Sequence, residues 1–141
     1  MDQSDAGFEK IEETDNPMYG PRKLLLCGFP AAEQPTLSAA LVGASLGDLE
    51  PVWAGPSHVD QTLGDLIALP AGTGAGEDSA LPRAVIMAGI TENELHILMA
   101  AHREAGLQRP LWAALTPTSE EWTLQALLDE LSEERQAMEK R

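Results

Sequence analysis

The chain of 141 residues holds one cysteine, three histidines and nine lysines and arginines against 23 acidic residues. Each shortage excludes something. A lone Cys27 cannot close an internal disulfide, which fits a reducing cytoplasm. The histidines, His58, His96 and His102, have no metal-ligand spacing, so neither a metal nor a cofactor is expected. With a net charge of −14 spread along the chain, no basic face is expected. Nucleic-acid affinity rests on neutralising phosphates, so nucleic acid is a poor partner, and so is an anionic membrane. No apolar run approaches the ~18 residues a membrane span needs. The acidic, polar N-terminus lacks the basic-then-apolar order of a secretory leader. No Gly-x-Gly-x-x-Gly or Walker pattern is present, so the specific nucleotide signals are missing.

What the chain does contain is the same text twice. Lys23-Leu-Leu-Leu-Cys-Gly-Phe29 returns as Ala84-Val-Ile-Met-Ala-Gly-Ile90. Pro51-Val-Trp-Ala54 returns as Pro110-Leu-Trp-Ala113, and Thr62-Leu-Gly-Asp-Leu-Ile67 as Thr123-Leu-Gln-Ala-Leu-Leu128. The order and nearly the spacing are kept, which is the mark of one supersecondary unit copied once. The expected organisation is an acidic disordered tail over 1–22 and a single α/β domain over 23–141. Repeat one spans 23–69, a Gly-rich flexible linker 70–82, and repeat two 83–141.

Each repeat reads strand, helix, strand, helix. The strands at 24–27 and 85–88 are apolar at every position, which signals burial on both faces. Thr91-Glu-Asn-Glu94 fits a capping box, and Gly106 fits a left-handed helix end. The first helix is expected to end near Gly43 or Gly47. Thr62 and Thr123 open the last helices. Trp53 and Trp112 are matched core residues, and Cys27 reads as a buried small hydrophobe.

Two such units with right-handed crossovers predict a four-stranded parallel sheet of order 2-1-3-4 with helices on both faces. A ferredoxin-like antiparallel sheet is the alternative. The first and fourth helices are expected on one face and the second and third on the other. Ligands of open α/β sheets sit beyond the strands' carboxyl ends. That rule places a candidate surface at Gly28, Phe29, Gly89, Thr91, Glu92, Asn93, Glu94, Thr116, Pro117, Thr118 and Trp122. The loop before Trp122 is longer than its counterpart, since Trp112 to Thr123 is 11 steps and Trp53 to Thr62 is 9.

The runs from Leu81 to Leu95, from Leu111 to Thr118 and from Trp122 to Leu131 resemble a bacterial family of uncharacterised proteins, the domain of unknown function 3783. The resemblance covers about 81–138, and its Thr116-Pro-Thr118 and Trp122-Thr-Leu124 pattern is its most specific part. The first repeat departs from it with Gly55-Pro-Ser57 and Gln61-Thr-Leu63. The resemblance implies no activity.

The residues hold no matched acid–base pair, nucleophile–base pair or metal cluster. The expected function is therefore a cytoplasmic binding or regulatory domain working at the carboxyl edge, its partner a protein or a small polar ligand. A small-molecule enzyme or ligand sensor at the same edge is the alternative. An oligomerising subunit, such as a homodimer, is the third reading.

Overall fold

The computed structural model describes residues 16–139. Its elements are β1 (Lys23–Cys27), α1 (Gln34–Gly43), β2 (Glu50–Ala54), α2 (Leu63–Ile67), β3 (Ala84–Ala88), α3 (Glu92–Glu104), β4 (Leu111–Ala114) and α4 (Leu124–Glu139). Short 3-10 turns at Ala31–Glu33, Pro56–His58 and Ser119–Glu121 precede α1, α2 and α4. The sheet order is β2-β1-β3-β4, as the repeat predicts.

The sheet is mixed, which corrects the expectation of all-parallel strands. β1 pairs with β2 and β3 with β4 in parallel, but β1 and β3 run antiparallel. The cause lies in residues 70–78, which do not merely join the halves. Gly72 N–H donates to Pro51 O at 2.7 Å and Trp53 N–H to Thr73 O at 2.8 Å. Gly76 N–H then donates to Gln34 Oε1, and Ala31 N–H to Asp78 Oδ1. The segment therefore travels along the outer edge of β2 and delivers the chain to the carboxyl end of β1. β3 must start there and run back, with Ala84 opposite Cys27.

The central strands are buried at every position. Alternate side chains supply two cores. On one face Leu24, Leu26, Trp53, Val85 and Met87 meet Leu37 and Leu41 of α1 and Leu98 of α3. On the other, Leu25, Val52, Ala84 and Ile86 meet Leu63, Leu66 and Ile67 of α2 and Leu124, Leu127 and Leu128 of α4. The helices thus segregate as α1 with α3 and α2 with α4. The expected pairing of first with fourth does not occur, because reversing β3 moves α3 to the face of α1.

Residues 61 apart hold equivalent places. Leu25 pairs with Ile86 at the sheet centre, and Thr62 bridges Thr123. Leu63 N–H donates to Trp122 O at 2.9 Å, and Leu124 N–H to Gln61 O at 3.0 Å. Thr62 Oγ1 caps α2 by accepting from Asp65 N–H, and Thr123 Oγ1 accepts from Ala126 N–H. The left-handed end of α3 is Gly106 (φ 76°); α1 ends at Gly43, as expected, and its left-handed residue is Ser45 (φ 64°). Ser45 N–H donates to Val42 O and Leu46 N–H to Leu41 O, which closes a Schellman motif on a non-glycine residue.

Of the expected disordered tail, residues 1–15 lie outside the described residues. Residues 16–22 are docked. Pro17 bridges Thr91, Met18 N–H donates to Ile90 O at 2.8 Å, and Gly89 N–H donates to Tyr19 O at 3.1 Å.

Candidate functional site

The antiparallel centre splits the expected carboxyl-edge surface in two. Gly28 and Phe29 follow β1 at one end of the sheet. Gly89, Thr91, Glu92, Asn93 and Glu94 follow β3 at the other, with Thr116, Pro117, Thr118 and Trp122 after β4. Phe29 is buried and offers no surface. Gly28 (φ 76°) and Gly89 (φ 67°) are close-approach glycines, but it is the chain itself that approaches. A Cβ at Gly28 would lie 2.8 Å from Arg83 N, and one at Gly89 2.6 Å from Arg22 N.

The Thr91–Glu94 turn is also occupied. Thr91 Oγ1 accepts from Glu94 N–H, and Thr91 N–H donates to Glu94 Oε1, completing the predicted box. Arg22 grips the same carboxylate with two N–H groups, at 2.7 and 2.6 Å, and binds Asp48 at 2.9 Å. The Arg22 hydrogen bond holds the Glu94 carboxyl down to about 2. The equivalent pair in the other half is Arg83 with Glu33 at 2.8 Å. Arg83 also stacks 4.5 Å over the Phe29 ring. In the 116–122 loop, Thr116 and Ser119 bond each other through hydroxyls and backbone. Tyr19 donates to Glu120 at 2.7 Å. Trp122 is 37% exposed.

Cys27 is buried, and desolvation pushes its thiol up to about 12, so it stays protonated and inert. His58 Nδ1 accepts from Gly55 N–H. His102 is 3% exposed, its ring edge-on between Phe29 at 6.0 Å and Trp112 at 5.6 Å. Burial, then the Arg83 charge, lowers its pKa, and its buried Nε2 has no partner among the described residues.

The outer edge of β4 presents backbone groups with no described partner. Leu111 N–H donates inward to Arg83 O and Leu115 N–H to Met87 O. In a parallel ladder alternate residues face opposite edges, so the N–H groups of Trp112 and Ala114 point outward. Among the described residues nothing accepts from them. The matching edge of β2 is covered by Gly72 and Thr73. Trp112 is accordingly only half-buried, which corrects its reading as a core residue, whereas Trp53 is 7% exposed.

A cavity flanks this edge on each face. One of 530 Å³ lies against α3, lined by Met99, His102, Arg103, Leu107 and Trp112. One of 610 Å³ lies against α4, lined by Leu111, Trp112, Leu131, Arg135 and Met138, with Glu134 as its acidic member. Arg109 borders both. Arg22 and Arg83 are held in ion pairs, and Lys23 binds Leu69 O. The remaining described arginines and lysines, Arg103, Arg109 and Arg135, all gather here, and none is paired with a described carboxylate, though Arg135 donates to Pro110 O at 3.4 Å. Three arginines therefore line the two cavities, a grouping that the overall charge concealed.

The fold is an α/β sandwich of three layers, a mixed four-stranded sheet between two pairs of helices. Residues 83–138, β3 to α4, match the family described as "Domain of unknown function (DUF3783)". The matched stretch contains all of β4 and its three arginines. No curated protein and no solved structure matches the chain. Among the described residues no helix is long and apolar enough to cross a membrane.

Proposed function

We propose that the protein is a non-catalytic binding domain whose working surface is the outer edge of β4. A partner protein docks there by laying down one extended segment as an added strand. Main-chain hydrogen bonds to Trp112 and Ala114 supply affinity, and side chains alternating into the two cavities supply selectivity. The observation that carries this reading is the contrast between edges: the chain covers β2 with its own residues 72–73 and leaves the equivalent edge of β4 bare among the described residues. On this reading the chain is one unit copied once, and the copies diverged in what covers their outer strands.

A second reading keeps the 116–122 loop as the recognition surface, favoured by the 37% exposure of Trp122. One experiment separates the two. Extended octapeptides selected from a library against the full chain are mapped by amide hydrogen exchange. Edge docking requires slowed exchange at Trp112 and Ala114. Protection confined to residues 116–122 transfers the function to the loop.

A further inference from the structure

We infer that the segment β4 accepts is acidic, its carboxylates received by Arg103, Arg109 and Arg135. This rests on the strand-addition reading above. Chance placement does not favour it: the chain carries 23 acidic residues against nine basic ones, yet Arg103, Arg109 and Arg135, the described arginines without a described carboxylate partner, line the cavities beside one strand edge, where Arg135 also donates to Pro110 O at 3.4 Å. Their positions also suit an added strand. Successive side chains of such a strand point to opposite faces. Arg103 borders the cavity on the α3 side, Arg135 that on the α4 side, and Arg109 both. Carboxylates on either face of the incoming segment therefore find a guanidinium, the side chain suited to two-pronged carboxylate binding.

One further observation points the same way. His102, nine-tenths buried on the α3 side, lines that cavity and keeps an Nε2 with no described partner. A second copy of the chain is the weaker occupant, because pairing brings two net charges of −14 together.

The test titrates the full chain with three capped octapeptides in which Val alternates with Glu, Gln or Lys. Affinity is read by tryptophan fluorescence and site by amide exchange at Trp112 and Ala114. The Glu peptide should bind at least ~10-fold tighter than the Gln peptide and protect both amides, and the gap should narrow as salt screens the charges. The triple variant Arg103→Gln, Arg109→Gln, Arg135→Gln should bring the affinity of the Glu peptide down to that of the Gln peptide, and a preference that survives it would overturn the assignment to these arginines. Equal protection by the Glu and Gln peptides would overturn the acidic specificity while leaving strand addition intact. No protection by any peptide would overturn both. Both amides already protected without peptide would overturn the partner reading too. In that case a dimer in native mass spectrometry assigns the edge to a second copy, and a monomer assigns it to residues of the chain itself.

Discussion

Arg22 Nη2 lies 2.6 Å from Glu94 Oε2. That contact fastens the segment preceding β1 onto the start of α3, so the two halves hold each other by their entrances. The folded carboxyl is held at about 2, below the ordinary 4.5, chiefly by the Arg22 hydrogen bond. A depressed carboxyl stabilises the fold above its unfolded pKa and loses that contribution as pH falls through the folded value. The loss belongs between about pH 4.5 and 2. Both partners are partly exposed, so screening reduces it to roughly 1–2 kcal/mol. Urea titrations at pH 7 and pH 3 check this. Glu94→Gln should shrink the difference between them, and an unchanged difference would show that the acid sensitivity lies elsewhere.

The two tryptophans should separate in energy. Trp53→Ala removes a buried indole and should cost about 3–5 kcal/mol. Trp112→Ala, at a half-buried position, should cost less than half as much. Denaturant midpoints of the two variants decide it, and equal losses would mean that the β4 edge is covered in solution.

His102 stands where the first half has Leu41. A buried imidazole with an unpartnered nitrogen costs free energy that an apolar side chain does not. His102→Leu should therefore stabilise the fold by about 1 kcal/mol and weaken binding of the Glu peptide. A destabilised variant would show that Nε2 has a partner in solution.

Gly74 adopts φ 78°, and a Cβ there would run into the Trp53 carbonyl. Gly72 adopts φ 88° but faces open space. Gly72→Ala should cost about 1–2 kcal/mol from backbone strain alone. Gly74→Ala should cost clearly more and speed amide exchange at Trp53. Equal costs would mean that residues 72–74 do not hold the β2 edge.

The strand order, the helix caps at Thr62, Thr91 and Thr123, and the inertness of Cys27 were legible in the sequence, because each rests on local pattern. The orientation of β3 was not. It depends on the path of residues 70–78, and a Gly-rich run looks alike whether it is slack or paired to a strand. The candidate surface at Gly28 and Gly89 fell with that orientation. Both glycines do mark close approach, but by Arg83 and Arg22, and no single-residue signal says which backbone arrives. The arginine cluster was hidden because net charge averages over a surface. Its available trace was the spacing of Arg103, Arg109 and Arg135 around the second tryptophan strand.

Residues 72–73 carry a further consequence, for assembly. A sheet with two bare edges can accept neighbours at both ends and so polymerise without limit. Here one end is blocked by the chain's own backbone. Growth from the β2 end is thereby closed, and an added strand can enter only at β4. The same glycines that let the chain hug β2 leave the described sheet one bare edge instead of two.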